Sequence, residues 1–196
     1  MKKIQIHFVN VNKVDCDEIL SSPLLTNFDH TSIEQYHHPE AKKEKIVSTF
    51  LIRKYVGDYS VNEFGKPIAE HICFNASHSH GAVVLVLDEV PVGIDIEKIR
   101  PADNQLVDYI SSNEEKEYIK DDKTFFEIWT NKESLVKAVG TGIRSKVNEI
   151  VGLPSNGIRK WNGQYYRSLT TVYQGFVITV TRMSKEPFDV YIEEGI

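Results

Sequence analysis

Apolar and polar positions alternate at the start of the chain. Ile4, Ile6 and Phe8 are interleaved with Gln5 and His7, so residues 3 to 11 are expected to form a half-buried strand. A short helix is expected near Asp17 to Leu20. From Pro39 the period lengthens: Ile46, Val47, Phe50, Leu51 and Val56 recur at helical spacing, Pro39 suits a first turn, and Gly57 closes the helix. Ile72 to Ala76, Ala82 to Asp88 and Val92 to Glu97 read as strands, with Glu89-Val90-Pro91 as a hairpin turn between the last two. Helical patterns follow at about 104 to 120 and 123 to 139, the second stopped by Gly140 and Gly142. From Val147 strands return: Tyr165 to Val172 and Phe176 to Met183 flank Gln174-Gly175, and Phe188 to Ile192 is a last one. Helices and strands occur in both halves without strict βαβ alternation, so the expected class is α+β. Arg100-Pro101-Ala102 is the candidate linker.

A chain of 196 residues is one domain, or two small lobes sharing a core. Its net charge of −5 argues against a general nucleic-acid binder. Locally it is basic: Lys42, Lys43, Lys45, Arg53 and Lys54 form one cluster, and Lys132, Lys137, Arg144 and Lys146 another. Two basic pockets on an acidic protein fit a small anionic ligand better than a polymer. Cys16 and Cys73 are too few for a disulfide framework, and reduced thiols fit the cytoplasm. Gln5, His7 and Asn10 interrupt the apolar run a signal peptide needs, and no stretch is long enough to span a bilayer. No membrane partner is expected.

Three segments carry candidate chemistry. Gly93-Ile94-Asp95-Ile96-Glu97, as a strand, puts both carboxylates on one face. An exposed strand face would explain them, but acidic residues are depleted in strands, and a cation between the two would explain them better. In Trp129 to Gly140, Glu133 and Lys137 stand one helical turn apart. Alone they would be a surface ion pair worth about 0.3–0.5 kcal/mol. Beside the apolar stripe of Phe125, Trp129, Val136 and Val139, they and Lys132 can instead border a cleft. The carboxylates and lysines together could hold Mg²⁺ against a phosphate. Asn75-Ala76-Ser77-His78-Ser79-His80-Gly81 suits a loop that meets a ligand with its backbone, and a histidine there can bond a phosphate oxygen. The set His71, Cys73, His78 and His80 matches no standard zinc spacing.

Gly65-Lys66-Pro67, Asn75-Ala76-Ser77-His78-Ser79, Gly93 to Glu97 and Trp129 to Gly140, in this order, resemble the Sfp-type 4'-phosphopantetheinyl transferases. That family shows a GKP turn, an N-x-S-H-S segment, a G-I-D-I-E strand and a W-x-x-K-E-x-x-x-K-x-x-G helix. The match covers about residues 40 to 143, and the rest fits in outline. His80 departs from it, standing where a small residue is usual.

The resemblance implies two similar α/β lobes related by a pseudo-twofold axis, with the site between them, here residues 1–101 and 102–196. It implies Mg²⁺-dependent transfer of phosphopantetheine from coenzyme A to a serine of an apo acyl or peptidyl carrier protein, releasing 3',5'-ADP, by a monomer. Asp95, Glu97 and Glu133 fall on the metal ligands, with Glu133 also the proposed general base, and Lys137 and His78 on groups that contact the phosphates. Ser77, Lys132, Lys66, Pro67 and Arg53 fall on further coenzyme A contacts: Lys66 and Pro67 beside the adenine, Arg53 near the 3'-phosphate. Lys42 and Lys45 sit in the family's basic stretch, one or the other contacting coenzyme A, and the segments around Lys42 to Lys54 or Arg144 to Lys146 could steer an acidic carrier. Two readings of other classes stand beside it: a non-catalytic module that binds coenzyme A or a carrier protein, and a hydrolase of coenzyme A or nucleotides.

Overall fold

A computed structural model describes residues 1–63, 65–140, 150–152 and 156–196. Gly142, Arg144, Lys146 and the expected strand start at Val147 lie outside the described residues. Strand β1 (Lys2–Asn10) leads through α1 (Cys16–Leu20), α2 (Asn27–Glu34) and the long α3 (Pro39–Tyr55) to a short ribbon, β2 (Ser60–Val61) with β3 (Pro67–Ile68). Next come β4 (Cys73–Ser79), β5 (Ala82–Asp88) and β6 (Val92–Lys98), then α4 (Asn104–Ile110), α5 (Asn113–Tyr118) and α6 (Asp122–Val139). Strands β7 (Asn156–Trp161), β8 (Gln164–Tyr173), β9 (Phe176–Met183) and β10 (Phe188–Glu194) complete a mixed α+β fold.

Two four-stranded sheets form, ordered β10-β1-β5-β4 and β6-β9-β8-β7. They meet through alternate apolar residues: Ile4, Ile6, Val84 and Val86 from one, Ile94, Ile96, Ile178 and Val180 from the other. The opposite face of the first sheet packs Val83 and Leu85 against Val47, Leu51 and Ile52 of α3. Strand β5 is therefore buried on both faces, which is why it reads as the unbroken run Ala82-Val83-Val84-Leu85-Val86-Leu87. The second sheet is backed by α6, where Thr130 meets Thr179 at 2.8 Å and Ser134 meets Thr181 at 2.7 Å. Pairing crosses Pro101 in both directions, since β6 pairs with β9 and β10 runs parallel to β1.

Three local expectations are corrected. β5 and β6 form no hairpin, because β1 and β4 already occupy both edges of β5, so β6 finds its partner in β9. The helical pattern at 104 to 120 is two helices: Ser111 is extended, and Ser112 starts α5 with a reciprocal capping box to Glu115. Asn75 to Ser79 is strand rather than loop, because it pairs antiparallel with Ala82 to Val86 of β5. The loop is only His80-Gly81, with φ of 48° and 78°, the two left-handed residues of a tight hairpin turn. His80 is thus one of the non-glycine residues with a positive φ.

Candidate active site

Gly93 decides how near α6 comes to the sheet. A Cβ at this position would lie 2.1 Å from the Ser134 carbonyl oxygen and 2.4 Å from the Ala138 nitrogen, so the helix rests on bare backbone. Two residues on, Asp95 shares this face of β6 and meets the last turn of α6. Lys137 Nζ donates to Asp95 Oδ1 at 2.6 Å and to Ser77 Oγ at 2.8 Å, while Ser77 Oγ donates to Asp95 Oδ1 at 2.9 Å.

The polar residues of β4 explain the rest of the frame. Asn75 Oδ1 accepts from the Ile94 amide at 2.9 Å, Ser77 bonds Asp95, and Ser79 Oγ donates to Glu97 Oε2 at 2.9 Å. With a period of two, one edge strand thus stitches its side chains onto the edge of the other sheet. Ser77, His78, Asp95, Glu97, Glu133 and Lys137 line the resulting open cleft of about 470 Å³, with Ala76 and Trp129 as walls. Trp129 also stacks on Phe126, so it serves packing as well. A larger cavity of about 870 Å³, between β1, α1 and the Gly195-Ile196 end, contains none of the expected site residues.

Electrostatics mark the cleft as short of positive charge. Burial and then the charge of Asp95 push the Glu97 carboxyl up to about 7, against the opposing hydrogen bond from Ser79. Burial and Asp95 likewise raise Glu133, with Lys137 opposing. Asp95 Oδ2 is buried without a hydrogen-bond partner among the described residues. Among the described residues no three His, Cys, Asp or Glu groups already cluster as a metal cage. An orphaned carboxylate oxygen beside two carboxyls that resist ionisation is nevertheless a donor set that fits a hard divalent cation.

The other expected contacts distribute unevenly. His78 belongs to the cleft, and its Nδ1 lies 2.8 Å from Glu44 Oε2. Lys66 Nζ donates to the Lys137 carbonyl at 2.6 Å, closing the C-terminal end of α6. Burial lowers its pKa. With Pro67 it borders an adjoining cavity of about 270 Å³ whose far wall includes Gly140 and Tyr166. Lys132 does not reach the cleft, which corrects its expected place at the border: it is fully buried, with Nζ on Glu115 Oε2 at 2.5 Å and the Ile110 carbonyl at 2.7 Å. Arg53 also stands apart, tying α3 to α2 through Asp29 at 2.8 Å and reaching Asp58 at 2.8 Å. Cys73 lines the Lys66 cavity and His80 accepts from Arg100 at 3.3 Å, and neither lines the cleft with His78. Glu44, Asn75 and Ser79 had no assigned part in the sequence reading. The period-two spacing of Asn75, Ser77 and Ser79 was a usable signal, whereas nothing along the chain marks Glu44.

Parts of the chain are similar to known proteins. Residues 91–181 match the 4'-phosphopantetheinyl transferase superfamily model, a span from the start of β6 into β9. The 4'-phosphopantetheinyl transferase gsp of Aneurinibacillus migulanus is 34% identical over 120 residues, covering 53% of this chain and 51% of that protein. The 4'-phosphopantetheinyl transferase Sfp of Bacillus subtilis (strain 168) is 32% identical over 126 residues, covering 55% and 56%. The 4'-phosphopantetheinyl transferase psf-1 of Bacillus pumilus is 38% identical over 88 residues, covering 40% and 38%. The chain thus spans about half the length, or less, of these curated relatives. The crystal structure of Thermotoga maritima holo-[acyl-carrier-protein] synthase (AcpS) superposes with a TM-score of 0.36 at 16% identity, covering 50% of this chain and 64% of that chain, a likeness too slight to bear on the fold.

Proposed function

We propose that this chain, whose residues 91–181 match the 4'-phosphopantetheinyl transferase superfamily model, is a transferase of the Sfp type that moves 4'-phosphopantetheine from coenzyme A to a serine of an acyl or peptidyl carrier protein. The observation that carries this reading is the convergence of Asp95, Glu97, Glu133, Lys137 and His78 in one cleft. A binding module would have no need of three carboxylates beside a phosphate.

In the reaction the serine Oγ forms a bond to the phosphorus that carries pantetheine. The bond from that phosphorus to 3',5'-ADP breaks, and the serine proton moves to a carboxylate. Glu133 is our choice of acceptor, because it lines the cleft beside Lys137 and His78, the groups assigned to the phosphates. Lys137 gives the pyrophosphate a cationic donor and His78 gives it a ring nitrogen. Asp95, Glu97 and Glu133 would hold Mg²⁺, which when bound supplies charge stabilisation for the pyrophosphate. Lys66 and Pro67 border the adjoining cavity, which we assign to the adenine end of coenzyme A.

Asp95, Glu97, Glu133, Lys137 and His78 come together within one chain, so our reading needs no second copy to complete the cleft. Both cysteines are free, and on that ground we place the protein in the reducing cytoplasm. Incubation with coenzyme A, Mg²⁺ and a set of apo carrier proteins tests the reading by intact mass. A carrier that gains one phosphopantetheine, and fails to with a chelator present, supports it. Release of 3',5'-ADP without a modified carrier would replace it with a hydrolase.

A further inference from the structure

The sequence Lys42-Lys43-Glu44-Lys45 looks like a solvated run of charge, yet Glu44 is only 7% exposed. Helix α3 turns this one carboxylate inward, toward the β4–β5 turn. Both oxygens are engaged. Oε1 accepts from the Gly81 amide at 2.7 Å, and Oε2 lies 2.8 Å from His78 Nδ1. A buried carboxylate without partners would be strongly unfavourable, and here each oxygen has one.

The consequence falls on His78. Its side chain is 45% exposed, so packing alone does little to fix the ring. Glu44 is anchored at its other oxygen by the backbone of the turn, so it cannot follow a rotating ring. We propose that Glu44 is a positioning residue for His78: it keeps Nδ1 protonated and aims Nε2 into the cleft, so that the doubly protonated ring donates Nε2–H to an anionic oxygen there. The two ring nitrogens are distinct, and a partner on one decides the role of the other. When the ring carries both protons, the carboxylate balances its charge and Nε2–H is the donor that a phosphate oxygen needs. Holding a half-exposed side chain in one rotamer also lowers the entropy lost when the ligand binds. Naming that ligand as coenzyme A rests on the functional reading above; the position and tautomer of the ring do not.

The test therefore has one arm that needs no ligand. Nitrogen-15 NMR of the His78 ring, at a pH where it is neutral, should show the proton on Nδ1. In Glu44→Gln one amide oxygen must serve two donors, and the His78 signature should move toward the other tautomer or average between the two. A wild-type ring protonated on Nε2 overturns the proposal, and so does a signature that Glu44→Gln leaves unchanged. The second arm is a double-mutant cycle read by calorimetry with coenzyme A. Glu44→Gln should weaken binding about tenfold in the wild-type background and by no more than about twofold in His78→Ala. Equal losses in both backgrounds would mean that Glu44 only fastens the turn to α3. If coenzyme A does not bind the wild-type protein at all, the functional reading fails, and the NMR arm still decides the role of Glu44.

Discussion

The Lys137 ammonium sits 2.6 Å from one oxygen of Asp95, and the other oxygen of the same carboxylate is buried without a partner among the described residues. One carboxylate thus gives one oxygen to a lysine of α6 and keeps the other without a hydrogen-bond partner among the described residues. Replacing Lys137 with Met should lower carrier modification by about two orders of magnitude, the scale for losing one donor to developing charge. It should leave Mg²⁺ binding intact or tighter, because a competitor for Asp95 is gone. Turnover assays set beside Mg²⁺ titration by calorimetry check both halves. Weakened Mg²⁺ binding would show that Lys137 helps build the metal site rather than the phosphate site.

Gly93 makes the opposite demand, for absence of a side chain. In Gly93→Ala the new methyl group would meet the backbone of α6 at 2.1 and 2.4 Å, and backbone cannot move aside as a long side chain can. The helix must lift from β6, which breaks the Thr130–Thr179 and Ser134–Thr181 contacts and withdraws Lys137 from Asp95. A loss of about 3 kcal/mol or more in chemical denaturation is expected. A variant of near wild-type stability would show that α6 does not ride on bare backbone.

Mg²⁺ binding should depend on pH with a definite sign. In the metal-free protein Glu97 holds its proton up to about 7, and Glu133 is shifted the same way. A metal ligand must be ionised, so Mg²⁺ binding has to displace these protons, and affinity should fall as pH drops below about 7. Mg²⁺ should also raise the melting temperature of the wild type more at pH 8 than at pH 6, and not raise that of Asp95→Asn. Thermal unfolding across pH, with and without chelator, measures this. An Mg²⁺ effect independent of pH would place the ion elsewhere.

Asp88 gives a prediction for stability alone. Burial favours its neutral form, but Arg182 at 2.7 Å and Lys2 at 2.6 Å outweigh burial and hold the carboxyl below its usual range. A carboxyl depressed in the folded state stabilises the fold above its unfolded pKa, and this contribution is lost as pH falls through the folded value. Asp88→Asn leaves Arg182 buried and unpaired, so it should lose about 3 kcal/mol near neutral pH. The gap between variant and wild type should narrow as pH falls below about 4, near the unfolded carboxylate pKa. Urea denaturation at stepped pH reads the difference directly, and a gap constant with pH would rule the account out.

Local periodicity determined much of this protein. The alternation from Ile4 to Phe8 became β1, the apolar spacing after Pro39 became α3, and Gln174-Gly175 became the turn between β8 and β9. Backbone geometry fixes such periods within a few residues, so the chain states them directly. The face shared by Asp95 and Glu97, and the turn shared by Glu133 and Lys137, followed from the same rule. So could the place of Lys132: five positions before Lys137, it lies about 140° around the helix from it, and the structure buries it on Glu115. Only the tertiary structure decided which strand β6 would pair with, because that depended on β5 having no edge left. It alone joined Glu44 to His78 and Ser79 to Glu97. Contacts between distant segments depend on which edges and faces remain free once every other element has packed, and no local pattern records that outcome.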